Sequence, residues 1–183
     1  MTFSYQLHRR SIRLPGYDYT QAGAYYVTIV TWRRDCLFGE VVDGVMILND
    51  FGKIVEEEWE RTPIVRSNVE LGAYMVMPNH FHGILIVADG VGASRRLAPT
   101  KVISPKPGSL GAIMAQFKSI VTKRIWKSDE NINGTPIWQR NYYEHIIHDE
   151  RDMQSKWDYI EGNPVLWNDD YENPHKTGVK SNV

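Results

Sequence analysis

Apolar and polar positions follow two periods along this chain, and the two alternate. β-Branched and aromatic residues crowd residues 24–31, which predicts a first strand. Asn49 is placed to cap a helix running through Ile54, Val55 and Trp59, with Pro63 beyond its end. Two further apolar runs, 69–76 and the one beginning near His80, flank Pro78-Asn79 and predict a pair of strands across a turn. Residues 89–108 hold glycine, serine and three prolines without periodicity, so a flexible loop is expected there. Ser109 then caps a helix in which Ile113, Phe117, Ile120, Val121 and Ile125 recur at helical spacing. After the turn at 133–136, residues 137–147 read as a strand. Asp149 opens a last helix that should stop near Gly162, because Pro164 disfavours helical geometry at Asn163. The order β, α, β, β, α, β, α, without its last helix, is that of a ferredoxin-like or RRM-like α+β fold, an antiparallel sheet with helices packed on it.

Two placements on this scaffold carry candidate chemistry. His80 and His82 are separated by one residue at the start of a strand, so both imidazoles project from one face while Phe81 points the other way. Paired imidazoles suit a divalent metal, and a half-exposed strand bearing two unliganded histidines is the competing reading. On the last helix, Met153, Trp157 and Ile160 form the expected buried stripe. Tyr159 lies off that stripe and shares a face with Asn163, four residues on. A phenol and a carboxamide therefore point the same way, although surface tyrosines are common in a chain with ten of them.

Composition bounds the rest. The 183 residues, 42% of them hydrophobic, suffice for one substantial core, so a single domain over 1–167 is expected, with a basic arm at 1–22 and a polar tail at 168–183. One cysteine, Cys36, excludes an internal disulfide and a multi-cysteine zinc site. The first residues lack the apolar core of a signal peptide, and no apolar run approaches the roughly 20 residues that cross a bilayer. A cytoplasmic protein without a membrane partner is the expectation. The net charge of −1 hides a polarity: Arg9, Arg10 and Arg13 near the start, and Lys118, Lys123 and Arg124 within an acid-free stretch from 90 to 127, stand against the acidic run Glu56-Glu57-Glu58. These basic positions are candidates for nucleic-acid backbone contacts, and a solvated helix face explains some of them equally well.

Three motifs taken together resemble a known family. Met77-Pro78-Asn79-His80-Phe81-His82 with its apolar strand, then Trp138-Gln139-Arg140-Asn141-Tyr142-Tyr143-Glu144-His145, then Asp158-Tyr159-Ile160 with Asn163-Pro164, are similar to the single-tyrosine HUH transposases, and within them to the REP-associated tyrosine transposases. The basic segment from Arg9 to Tyr19 also resembles this branch, so the likeness spans residues 9 to 167. It implies a divalent metal, Mg²⁺ or Mn²⁺, held by His80, His82 and Asn163, the last filling the family's position for a polar amide one helical turn after the tyrosine. It also implies that Tyr159 is the nucleophile. Its attack on single-stranded DNA at the foot of a REP-like hairpin would leave a 5′-phosphotyrosine link and a free 3′-hydroxyl.

The resemblance further implies hairpin or single-stranded DNA as partner, a nucleoid-associated protein, and a monomer in preference to the homodimers of insertion-sequence relatives. Because the ligand is neutral imidazole, metal binding should weaken as pH falls through roughly 6. Histidine ligation suits Mn²⁺ better than the oxygen-seeking Mg²⁺. Tyr142 and Tyr143 are rival nucleophiles, ranked lower because the family sets its tyrosine on the helix. The alternative to a nuclease is a module that binds hairpin or single-stranded nucleic acid without cutting. An amidohydrolase-type His-x-His barrel is excluded by length, since it needs about 250 residues.

Overall fold

The run of apolar residues in β1 (Gly23–Val30) requires cover on both faces and both edges, and the chain supplies it. The protein is described from a computed structural model over residues 17–88 and 108–176. After β1 come a two-stranded hairpin, β2 (Gly39–Val42) and β3 (Val45–Leu48), then α1 (Asp50–Glu60) and the short α2 (Thr62–Val65). β4 (Val69–Val76), β5 (His80–Val87), α3 (Leu110–Ser128), β6 (Tyr143–Ile147) and α4 (Glu150–Gly162) complete it. The main sheet is antiparallel with order β4-β5-β1-β6, the ferredoxin-like arrangement that the pattern predicts.

Strand alternation sorts the sheet into two faces. Tyr25, Val27, Ile29, Phe81 and Leu85 point to one side, where Trp59 of α1 and Ile113, Met114, Phe117, Val121 and Ile125 of α3 close the main core. Gly83 is required there: a Cβ on it would stand 2.5 Å from the Trp59 ring. On the opposite side Tyr26 and Ile84 meet Ile160 of α4 in a smaller cluster. Register sets Thr28 beside His82 and Val30 beside His80 on this second side.

The three expected caps form. Asn49 Oδ1 accepts from the backbone N–H groups of Phe51 and Gly52 at 3.0 Å each, Ser109 Oγ from Ala112 at 3.3 Å, and Asp149 Oδ1 from Asp152 at 2.8 Å. Several details depart from the pattern. Pro63 lies beyond the end of α1 as expected, but there it opens a second short helix, sitting in the first turn of α2, where its missing N–H has no acceptor to satisfy. The expected strand over 137–147 pairs only from Tyr143; Trp138 makes one isolated bridge to Thr31 and packs its ring against Phe38 and Phe117. The β2–β3 hairpin went unpredicted, although Asp43-Gly44, both at positive φ, is the dipeptide such a two-residue turn demands. In α4, Ile160 is buried as expected but Trp157 is 36% exposed, its indole lying near Gly72 of β4 and donating to Glu161.

The expected polar tail also differs. Residues 168–176 fold back across the second face, burying Asp170, Glu172 and Asn173. Their polarity is spent on hydrogen bonds: Asn173 Nδ2 donates to the Trp167 carbonyl and Glu172 pairs with Arg34 at 3.0 Å. Most of the arm at 1–22 and of the loop at 89–108 lies outside the described residues. Among the described residues, no helix is long and apolar enough to cross a membrane.

Candidate metal and nucleophile site

The turn before β5 delivers both histidines into the interior. The His80 carbonyl accepts from the Met77 N–H at 2.8 Å, and Asn79, His80 and His82 are all essentially buried. Asn79 settles the protonation of its neighbour. Its Nδ2 donates to the backbone carbonyls of Arg34 (3.0 Å) and Glu172 (2.6 Å), so its Oδ1 is left to accept from His80 Nδ1 at 2.9 Å. The His80 proton is thereby assigned to Nδ1, and Nε2 keeps its lone pair.

His82 is held in a similar way. Its Nδ1 lies 2.8 Å from Tyr26 Oη and 2.9 Å from Thr28 Oγ1, and Thr28 donates to Tyr26 at 3.1 Å. With Nδ1 engaged by these hydroxyls, His82 Nε2 is buried with no hydrogen-bond partner. Burial first, and then the neighbouring His80, hold the His82 imidazole well below its ordinary pKa. It is a neutral imidazole at pH 7. The two rings are 4.5 Å apart between centroids.

Burial of Ile160 sets the rotation of α4. That rotation turns Asn163, at the helix C-cap, inward and leaves Tyr159 at the rim, 43% exposed. Asn163 Nδ2 donates to Asp170 Oδ2 at 3.0 Å, which aims its Oδ1 at His80 Nε2, 3.3 Å away. The Tyr159 ring stands edge-on to His82 with centroids 5.2 Å apart. Its phenol is pushed up by burial and by the charge of Asp170, against a hydrogen bond from Asn163 that pulls it down. His80, His82, Tyr159 and Asn163, all singled out from the sequence, thus meet in one place.

Asp170 was missed. Its carboxylate and the ring nitrogens of His80 and His82 offer donor atoms that all lie within 4.8 Å of one another. Nothing in the sequence separates it from its acidic neighbours, because it follows a single 3-10 turn (Trp167–Asp169) rather than a periodic element. The donor set fits a divalent cation: a buried imidazole nitrogen stands without a partner, and two acceptors, His80 Nε2 and Asn163 Oδ1, face each other.

The basic candidates fall elsewhere. α3 packs on the face opposite the histidines. Lys118 is turned inward, donating to the carbonyls of Gln139 (2.6 Å) and Arg140 (3.2 Å). Arg124 is paired with Glu57 (2.6 Å) and Glu58 (2.7 Å). Lys123 is exposed, and Arg9, Arg10 and Arg13 lie outside the described residues. The rival nucleophile Tyr143 stands with its ring beside Tyr26, and His145, two residues on, pairs with Asp152 at 2.7 Å.

Comparison with known proteins gives these features a context. No protein-family model matches the chain. An uncharacterised protein of Haemophilus influenzae is 39% identical over 169 residues, covering 89% of this chain and 92% of its own length. A second protein of that organism, named as a REP-associated tyrosine transposase, is 24% identical over 155 residues, covering 81% of this chain and 73% of its own. The solved structure of a REP-associated tyrosine transposase bound to a REP hairpin shares the fold with a TM-score of 0.57, at 20% identity over 82% of this chain and 72% of that one. These likenesses define the class as the transposases, enzymes that process DNA. Within that class the named likenesses, in sequence and in fold, are to REP-associated tyrosine transposases.

Proposed function

We propose that this protein is a metal-dependent single-stranded DNA endonuclease and strand transferase that cleaves at REP-like hairpins through a 5′-phosphotyrosine intermediate. One observation carries the reading: buried His80 and His82 turn their Nε2 atoms into a pocket shared with the Asn163 amide oxygen, and the Tyr159 phenol stands on its rim. His80, His82 and Asn163 would hold a divalent metal, Mn²⁺ or Mg²⁺, which when bound supplies charge stabilisation at the scissile phosphate. Asn79 and Thr28, by engaging the Nδ1 atoms, keep both Nε2 lone pairs directed inward.

Tyr159 oxygen attacks phosphorus, the P–O3′ bond breaks, and the departing 3′-oxygen takes a proton from solvent to become a hydroxyl. The phenol's proton leaves toward solvent, to which the half-exposed ring is open. Phosphodiester bond energy stays in the tyrosine link, so rejoining needs no external energy source. Exposure of Tyr159 supports attack on a large substrate lying across the rim. The REP hairpin bound by the solved relative supplies the substrate class. Backbone contacts fall to Arg9, Arg10, Arg13 and Lys123, since Lys118 and Arg124 already have partners within the fold. Such a protein works as a monomer at the nucleoid, in the cytoplasm.

The test is a labelled hairpin oligonucleotide incubated with Mn²⁺ or Mg²⁺ and resolved on a denaturing gel. A metal-dependent covalent adduct is expected for the wild type and is lost in Tyr159→Phe. A native-gel shift without adduct or cut product would replace this reading with the binding module.

A further inference from the structure

Asp170 is a buried carboxylate whose charge no cation among the described residues balances. Its two oxygens accept from Asn163 Nδ2 at 3.0 Å and from the Glu172 N–H at 2.6 Å. Among the described residues, no lysine or arginine forms an ion pair with it. Glu172, two residues on and equally buried, is instead neutralised by Arg34. A buried carboxylate with two neutral donors recovers only part of its lost hydration, and a buried charge is ordinarily paired or bound to a metal. The neighbours of Asp170 are themselves electron-pair donors. His82 Nε2 is unpartnered, and the tautomer set by Asn79 leaves His80 Nε2 facing the Asn163 oxygen, acceptor against acceptor. A cation at the centre satisfies all of them together.

We infer that Asp170 is a direct ligand of the divalent cation at His80 and His82, so that two imidazoles and a carboxylate hold it, while the same carboxylate orients the Asn163 amide. This rests on the metal-centre reading given above and deepens it. The carboxylate adds a full negative charge to a donor set that is otherwise neutral, and two imidazole nitrogens favour Mn²⁺ over Mg²⁺. The C-terminal segment thus completes the metal centre.

The test is calorimetric titration of MnCl₂ into chelator-stripped full-length protein, with thermal unfolding in EDTA as a folding control. The wild type is expected to bind one Mn²⁺, more tightly than Mg²⁺. Asp170→Asn keeps an acceptor for the Glu172 N–H and should weaken Mn²⁺ binding on the order of tenfold or more, while Asp169→Asn, altering the exposed neighbouring carboxylate, leaves it unchanged. A positioning role is separated by the double variant: a direct ligand still costs affinity in an Asn163→Ala background, whereas a group acting only through Asn163 does not. If Asp170→Asn fails to fold, the carboxylate stretch of ¹³C-aspartate-labelled wild type on adding one equivalent of Mn²⁺ answers the same question, and a shifted aspartate band is expected.

Unchanged affinity in Asp170→Asn, loss of its effect in the Asn163→Ala background, or an unshifted band overturns the inference and leaves the two-histidine centre standing. Absence of Mn²⁺ binding by the wild type overturns both.

Discussion

At the scale of the residue, the site depends on Asn79 as much as on the histidines it precedes. One carboxamide joins three segments distant in sequence: the turn after β1 through Arg34, the C-terminal segment through Glu172, and β5 through His80. Asn79→Ala leaves two carbonyls and an imidazole N–H unsatisfied in the interior. The expected cost is about 2–4 kcal/mol of stability, read from the urea midpoint of the metal-free protein. An unchanged midpoint would mean that water replaces the amide without loss. The sequence shows this residue only as part of a turn; its bonding is invisible there because all its partners but His80 are remote. His80, His82, Tyr159 and Asn163 were legible for the opposite reason. Each pair lies within one element, where the strand period or the helical turn dictates which side chains share a face. Asp170 belongs to no such element, and only the folded chain brings it to the histidines.

At the scale of the element, α3 shows where charge patterning misleads. Its lysines and arginine read as a cationic face for nucleic acid, yet Lys118 ties the helix to the segment before β6 and Arg124 ties it to α1. Elements with a cap and a regular apolar period, β1, α1, β4, β5, α3 and α4, were visible in the sequence. The strand expected over 137–147 was overextended because a buried, bulky segment such as Ile137-Trp138 looks like a strand whether or not it pairs. Lys118 gives this tie a measurable signature. Burial lowers its amine from an ordinary 10.5 to about 8. Between those values the unfolded chain holds a proton that the folded protein has released, so stability rises with pH across that window and has no slope from this group below it. The slope is at most about 1.4 kcal/mol per pH unit. Urea unfolding from pH 7.5 to 10 should show the wild type gaining on Lys118→Met as pH rises, the tyrosines cancelling in the difference. A constant difference would mean that the two carbonyls hold the ammonium at its ordinary pKa.

At the scale of the whole molecule, the sheet separates a face that holds the main core from one that carries the candidate site. α3 buries Leu110, Ile113, Met114, Phe117, Val121 and Ile125 against the main core, whereas α4 fully buries only Ile160. At about 1.5–3 kcal/mol for each large apolar side chain removed from water, α4 is held several kcal/mol less firmly than α3. Its remaining ties are the partly buried Met153, the Trp157 indole near Gly72, the edge-on Tyr159 ring, and two polar links, Asn163 to Asp170 and the Asp152 carboxylate to His145. A helix so docked opens without unfolding the domain. Native-state hydrogen exchange of the metal-free protein should therefore find the amides of residues 153–162 opening at a free energy about 2 kcal/mol or more below those of residues 113–125. Equal protection of the two helices would show that α4 is released only with the entire fold. The lower value would mean that the helix bearing Tyr159 shifts relative to the histidines while β1 and β5 stay paired, which under the proposed function would give the phenol freedom to reach a scissile phosphate.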